Sequence, residues 1–565
     1  MADIISALDN YNYLKCGENG HNEYTWSNNI SEKIVQLSFQ LVRTENQNIL
    51  AIKTDEILYE LTGLYRSGII RHDIYIEYMS IMYRMVAHTR DIIDGKGEYS
   101  LSYMLLNVWN NHHPELAEFA LRHFVLSPED NPTQCPYGSW KDIKHLYKHY
   151  GKSSLVKYGM SLLLNQIKKD SVTALPSLAA KWVPREKTQC GNMFTELSTA
   201  YFENYINSAT NEQSKQRAIS KSKMEFRKIV STLNKQLDTV QIKQCSQHWS
   251  KIDPTKQTSI TMHKQKNAFL NIDKQGSLRS ELCDRIECGL KFKEFAQKAF
   301  TGEIEVKGKR IGLNDFTKQA LQLCESNREL SDEAKILNAQ WLDNTTQNKS
   351  LGKIIAMVDV SASMEGTPLH SAIALGIRVA ENSLLGKRVM TFSAYPSWIN
   401  LDGHTTFVDM VKKINNSSWG MNTNFEIALN LILDAIISQK MNPDDVEDMV
   451  LAIFSDMQID EADSTPASFY DTIEKKYADA GIRVWGKPYK LPHILFWNLR
   501  STSGFPTVST QRNCSMMSGF SPVLLNLFCE EGLSAIQFCN PWSLLVKSLQ
   551  NNRYNVLDKY IREKL

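Results

Sequence analysis

No apolar run in this chain is long enough to cross a bilayer. The longest, such as "IIAMV" and "AIALGI", fall far short of the ~20 residues a spanning helix needs, so no membrane partner is expected. The opening stretch "MADIISALDNYNYLKCGENG" has no basic region followed by an apolar core, so no secretory leader is expected there. An excess of charge of one sign is also missing. Lys and Arg number 64 against 62 Asp and Glu, a formal net charge of +2. Any grip on nucleic acid must therefore come from a local patch, and nothing indicates DNA specificity. The 10 cysteines contain no C-x-x-C pair, and Cys283 and Cys288 lack a second pair or nearby histidines. This excludes the common zinc frames and fits reduced thiols in a cytoplasmic setting.

What is present is an ordinary globular composition, 42% hydrophobic and 22% charged, over 565 residues. That length predicts roughly two to four domains. Residues 1–345 carry helical periodicity. In "RHDIYIEYMSIMYRMVAHTRDI" the residues Ile74, Tyr78, Ile81, Met82 and Met85 recur at three and four, which marks one buried helix face. "LSYMLLNVWNNHHPELAEFALRHFV" predicts two helices broken at Pro114. Many helices with short connections predict an α-solenoid or curved helical array, without a clean repeat. The polar segment "DNTTQNKSLGK" predicts an exposed linker. From residue 346 to 565 short apolar runs alternate with helical segments. "KIIAMVDV", "KRVMTFSA", "DMVLAIFSD" and "HILFWNL" predict strands of a parallel sheet covered on both faces. Ligands in such sheets sit beyond the carboxyl ends of the strands.

The residues at those ends are rich in oxygen. Asp359, Ser361 and Ser363 follow the first predicted strand, Thr423 opens a helix in "WGMNTNFEIAL", and Asp456 follows "LAIFS". Two carboxylates and three hydroxyls suit a small hard cation, Mg2+ or another divalent ion. Ser363 or Thr423 taken alone would equally suit a helix cap.

Asp359-x-Ser361-x-Ser363 with Thr423 and Asp456 resembles the metal-ion-dependent adhesion site of von Willebrand factor A domains. That resemblance implies a Rossmann-like α/β domain over 346–565. In it the serines and threonine touch the metal, the aspartates act mostly through water, and a partner's exposed Asp or Glu completes the shell. Ala362 and Met457 stand where that family often has glycine. In the helical half "HTRDIIDGKGEYSLSYMLL", "YGSWKDIKHL", "SLAAKWVPRE" and "FRKIVSTLNKQLDTVQ" resemble a family that joins a TROVE-like, Ro autoantigen-like helical domain to a von Willebrand factor A domain. "FSDMQIDEA", "HILFWNLR" and "MMSGFSPVLLNLF" fit the same family, whose members occur in plants, fungi and large DNA viruses. The resemblance runs from about Tyr75 to Phe528. It implies a HEAT-like array over 1–345 that holds small or single-stranded RNA, and a cytoplasmic protein, or one of the virion and host cytoplasm for a viral member.

Basic residues supply an independent reason to consider RNA. Between Lys215 and Lys274 bases outnumber acids, and His248, Trp249 and His263 are interleaved. Cations can track phosphates while aromatics stack bases. Lys221, Lys223, Arg227, Lys228, Lys264 and Lys266 are the candidates there. Lys96 in "DGKGEY", with Lys181 and Arg185 in "AAKWVPRE", complete the set. The alternative is a solvated helix face. Catalysis is not expected: no G-x-S-x-G elbow surrounds Ser361 or Ser363, and Ser361 stands where an aspartyl phosphatase needs a second acid. The expected function is a non-catalytic RNA-binding scaffold with a metal-dependent site for an acidic partner. The alternative is a metal-dependent assembly module that binds no RNA.

Overall fold

The computed structural model of the protein describes residues 14–16, 22–392, 396–417, 425–457, 466–502, 504–529 and 539–565. It is a mixed α/β structure, with an N-terminal helical array and a C-terminal mixed sheet. Apolar spacing of three and four accounts for the array. The helix His72–Arg90 buries Ile76, Met79, Met82, Tyr83 and Val86. Pro114 divides the helices Ser100–His112 and Pro114–Val125 by starting the second, where its missing N–H costs nothing.

Two short strands, β1 (Leu14–Cys16) and β2 (Asn22–Tyr24), pair antiparallel. The main sheet holds β3 (Ile354–Asp359), β4 (Arg388–Phe392), β5 (Trp398–Asn400), β6 (Val450–Ser455), β7 (His493–Asn498) and β8 (Cys514–Ser518). Its order is β5-β4-β3-β6-β7-β8. Only the edge pair β4–β5 is antiparallel. β3, β6 and β7 are buried along their whole length, as continuous apolar runs covered on both faces must be.

Alternate residues of these strands enter two different cores. Ile355, Met357, Leu451 and Ile453 join the cluster shared with the N-terminal helices and the helix Phe425–Ser438. Ile354, Ala356, Val358 and Ala452 join the cluster on the other face. There the helix Thr367–Asn382 lies so close that a Cβ at Gly376 would stand 2.4 Å from Val358 Cγ2. The helices Leu313–Glu325 and Asp332–Thr345 also contribute to that second core. Trp341 stacks on Phe407 at 3.9 Å, and Phe316 meets Phe407 edge-on at 5.9 Å. Helices that precede residue 346 therefore pack into the same core as the sheet, Leu313–Glu325 against the helices Thr367–Asn382 and Phe407–Asn415.

The segment expected to be an exposed linker is instead fastened down. Asn344 and Leu351 are fully buried. The buried Arg378 guanidinium donates to Asn344 O at 3.0 Å, Asn344 Oδ1 at 2.8 Å and Asn348 Oδ1 at 2.9 Å. It also lies 4.4 Å from the Trp341 ring centre. Polar residues look like a linker in sequence; here their amides are the acceptors a buried cation requires.

Candidate metal centre

β3 lies between β4 and β6, so the chain leaves β3 toward one edge and later returns on its other side. Connections then run to opposite faces, and the carboxyl ends of β3 and β6 part into a crevice. Asp359 ends β3 and Asp456 directly follows β6, both fully buried. Asp359 Oδ1 accepts the Ser361 N–H at 2.9 Å, and its Oδ2 accepts the Ser455 hydroxyl at 2.5 Å. Ser455 Oγ in turn accepts the Met457 N–H at 3.0 Å. The hydroxyls of Ser361 and Ser363 stand 3.0 Å apart, in and beside the short 3-10 turn Ala362–Met364 that precedes the helix Thr367–Asn382. Four of the five expected cation residues are thus brought together. Thr423 lies outside the described residues.

The two positions where the resembling family has glycine behave differently. Ala362 sits in the turn without a positive φ, so its Cβ is tolerated. Met457 has φ +64°, a left-handed conformation that costs a non-glycine residue roughly 1 kcal/mol. Its N–H is held by Ser455, which helps to fix the loop that carries Asp456.

Burial pushes Asp359 up to about 6, and the Asp456 charge adds to that effect, against the hydrogen bonds from Ser455 and Ser361. Arg500, two residues beyond β7, partly offsets the paired acids. Its Nη1 donates to Ser363 O at 3.0 Å and to Asp456 Oδ2 at 3.3 Å, while the side chain stays 47% exposed. Asn498 positions it, accepting the Arg500 N–H at 3.0 Å and donating to Phe39 O at 3.2 Å. Sequence reasoning missed Arg500 and Ser455. The available signal was their place at the ends of β7 and β6, in "HILFWNLR" and "LAIFSD". No three His, Cys, Asp or Glu side chains converge among the described residues, so a cation here would depend on the serine hydroxyls. Carboxylate and hydroxyl oxygens in a buried acidic crevice fit a hard divalent ion.

The expected RNA-contact residues do not form one surface. Lys96 is buried, and its ammonium donates to Ser38 O at 2.8 Å, Leu41 O at 3.0 Å and Ser518 Oγ at 2.7 Å. Lys266 is also buried and donates to Gln319. The expectation that Lys96 meets RNA directly is corrected by that burial, since all three of its donors are taken. On the helix Glu212–Gln236, Lys223 and Arg227 pair with Glu186 at 3.5 and 2.5 Å, and Lys228 pairs with Glu225 at 3.1 Å. Lys221 is exposed over the Tyr205 ring at 4.3 Å. Lys181 is half-buried beside Trp182, while Arg185 and Lys264 are exposed. Of the interleaved aromatics, His263 is buried and Trp249 lies under the Arg285 guanidinium at 3.8 Å.

Comparison with known proteins places the crevice inside a recognised segment. A family described as a domain of unknown function (DUF7788) matches residues 353–546. That span contains Asp359, Ser361, Ser363, Ser455, Asp456 and Arg500. An uncharacterized protein of Acanthamoeba polyphaga mimivirus is 27% identical over 502 residues, covering 84% of this chain and 80% of its own length. Among the described residues no helix is long and apolar enough to cross a membrane.

Proposed function

We propose that this protein is a non-catalytic binding scaffold whose C-terminal half is a von Willebrand factor A-like module. In this reading the crevice holds Mg2+ or another divalent cation and uses it to capture an acidic side chain of a protein partner. One observation carries it: two fully buried aspartates and two serine hydroxyls meet where β3 and β6 part. Ser361 and Ser363 would hold the cation with Thr423, and Asp359 and Asp456 would act mainly through water. The bound cation supplies an electrophile with a position open to a carboxylate. The chain's own contribution is to orient the hydroxyls. The Asp359 carboxylate fixes the Ser361 backbone, and Ser455 fixes Asp359. The test is calorimetric titration with Mg2+ and Mn2+, followed by an acidic peptide with and without EDTA. Cation binding followed by peptide binding that EDTA abolishes is the expected result. No binding of either cation would overturn the reading.

A second reading, RNA contact by a TROVE-like helical half spanning 1–345, draws on the exposed Arg185, Lys221 and Lys264. The ion pairs on Lys223, Arg227 and Lys228 leave that surface with less free charge than the sequence suggests. RNA affinity that falls steeply across a salt series would support it. No RNA binding at low salt would leave the assembly module alone.

A further inference from the structure

The helical array contains a polar cleft of about 870 Å³ that shares no residue with the sheet crevice. Its walls come from the helices Ser259–Phe269 and Leu313–Glu325 and from the tight turn around residues 272–279. That turn is rigid by construction. Ile272 bridges Leu278, Asp273 Oδ1 accepts the N–H groups of Gln275 and Ser277 at 2.9 Å each, and Arg328 donates to Lys274 O at 3.0 Å.

Six cationic side chains line the cleft against four carboxylates. Asp273 is engaged in its own turn, and Glu333 stands beside Arg328 with its charge also acting on Lys266. Lys264, Lys274, Arg279 and Lys318 are exposed and have no carboxylate partner among the described residues. The volume suits a small ligand, and the lining favours an anion.

The inner end carries the stronger argument. Lys266 is 5% exposed, and among the described residues its ammonium has one hydrogen-bond acceptor, Gln319 Oε1. A lysine has three N–H donors and can only donate. The Gln319 oxygen must therefore face Lys266, and its NH2 group faces His263 Nε2 at 2.8 Å. Burial and the charges of Lys266 and Lys264 keep His263 neutral, pushed down to about 3. A neutral ring that accepts at Nε2 carries its proton on Nδ1. That Nδ1, on a side chain 5% exposed, has no partner among the described residues. A buried ammonium with donors to spare thus stands beside a buried, unpartnered imidazole N–H, both lining one cation-rich cleft. Buried donors without acceptors are costly, and an oxyanion meets both.

We propose that this cleft is a binding site for a small ligand bearing a di- or polyphosphate group. Lys266 and the His263 Nδ1–H grip the phosphate oxygens at the inner end, and Lys264 and Lys318 neutralise the outer charge. The ligand is free pyrophosphate or a nucleotide of the same chemistry. The site shares no residue with the metal centre, and Lys264 is the residue it has in common with the exposed RNA candidates.

The experiment is calorimetric titration of the full chain at low salt with pyrophosphate, ADP, AMP and a short single-stranded oligoribonucleotide. It uses the wild type, Lys266→Met, and the paired surface variant Lys264→Glu with Lys318→Glu. Pyrophosphate and ADP should bind more tightly than AMP, and each variant should weaken them by about tenfold or more. Tight pyrophosphate binding with much weaker ADP would assign the free anion, and equal binding would assign the nucleotide. Should Lys266→Met fail to fold, the surface variant decides alone, because both its lysines are exposed. Failure of pyrophosphate and ADP to bind, or affinities unchanged in the variants, would overturn the proposal.

Discussion

Lys96 and Lys266 are buried to the same degree, at 6% and 5% exposure, yet they do opposite things. Lys96 has an acceptor for each of its three donors. Two are carbonyls at the end of the helix Ile30–Gln40, and the third is Ser518 on β8. It clamps a helix of the N-terminal array to the edge of the sheet. Lys266 has a single acceptor and lines an open cleft. Burial alone does not distinguish a structural cation from a binding one; the count of satisfied donors does.

Carboxylates divide the same way. Asp142 takes both arms of Arg90 at 2.6 and 2.9 Å, the Tyr103 hydroxyl at 2.6 Å and the Ser139 N–H at 2.7 Å. The crevice pair Asp359 and Asp456 has a half-exposed arginine against two buried acids. Groups the protein satisfies from within hold the fold together. In the crevice two like charges stand close together, and a divalent cation would relieve their repulsion.

The largest test of that division is Lys96→Met. It strands the Leu41 carbonyl, leaves Ser38 O only the Ser518 hydroxyl, and should cost about 3 kcal/mol in urea unfolding. Lys96 is pushed by burial from 10.5 to about 7. Between those values the unfolded chain binds the proton that the folded chain has released, so stability should rise with pH across that window. The rise should be missing from the variant, and equal slopes would contradict the accounting. Next comes Asp359→Asn, which relieves repulsion with Asp456. Mg2+ affinity should drop by about 30-fold, roughly 2 kcal/mol, with an unchanged or higher melting temperature. A large loss of stability instead would move Asp359 to the structural class.

Lys266→Met should cost less than about 1 kcal/mol, because exchanging a poorly paired buried ion for an apolar group is often neutral. A cost equal to that of Lys96→Met would erase the comparison. The smallest effect is expected at Arg500→Ala. Removing a half-exposed cation beside Asp456 should tighten Mg2+ binding about threefold, and weaker binding would show that Arg500 supports the site rather than competes for it.

Much of the fold was legible because its signals are local. Continuous apolar strands such as "KIIAMVDV" and "DMVLAIFSD", and the break at Pro114, follow from the periodicity of one segment. β5 and β8 were missed. β5 is a three-residue edge strand that exists through its pairing with β4. β8 is a short run, "CSMMS", without β-branched residues. The aspartates and serines of the crevice were legible from their positions at strand ends. Arg500 was not, because only the parallel placement of β7 beside β6 brings its loop to Asp456.

The sequence by itself determined the apolar strands β3, β4, β6 and β7, the helical character of residues 1–345, and that acids and hydroxyls gather at the carboxyl ends of the strands. Backbone periodicity and strand polarity are properties of a single stretch of chain. Tertiary structure alone decided which charges are available. Glu186 reaches Arg227 across 41 positions, Ser518 reaches Lys96 across 422, and Gln319 aligns Lys266 with His263. A charge takes its meaning from the partners that packing brings to it, and those partners are distant in sequence.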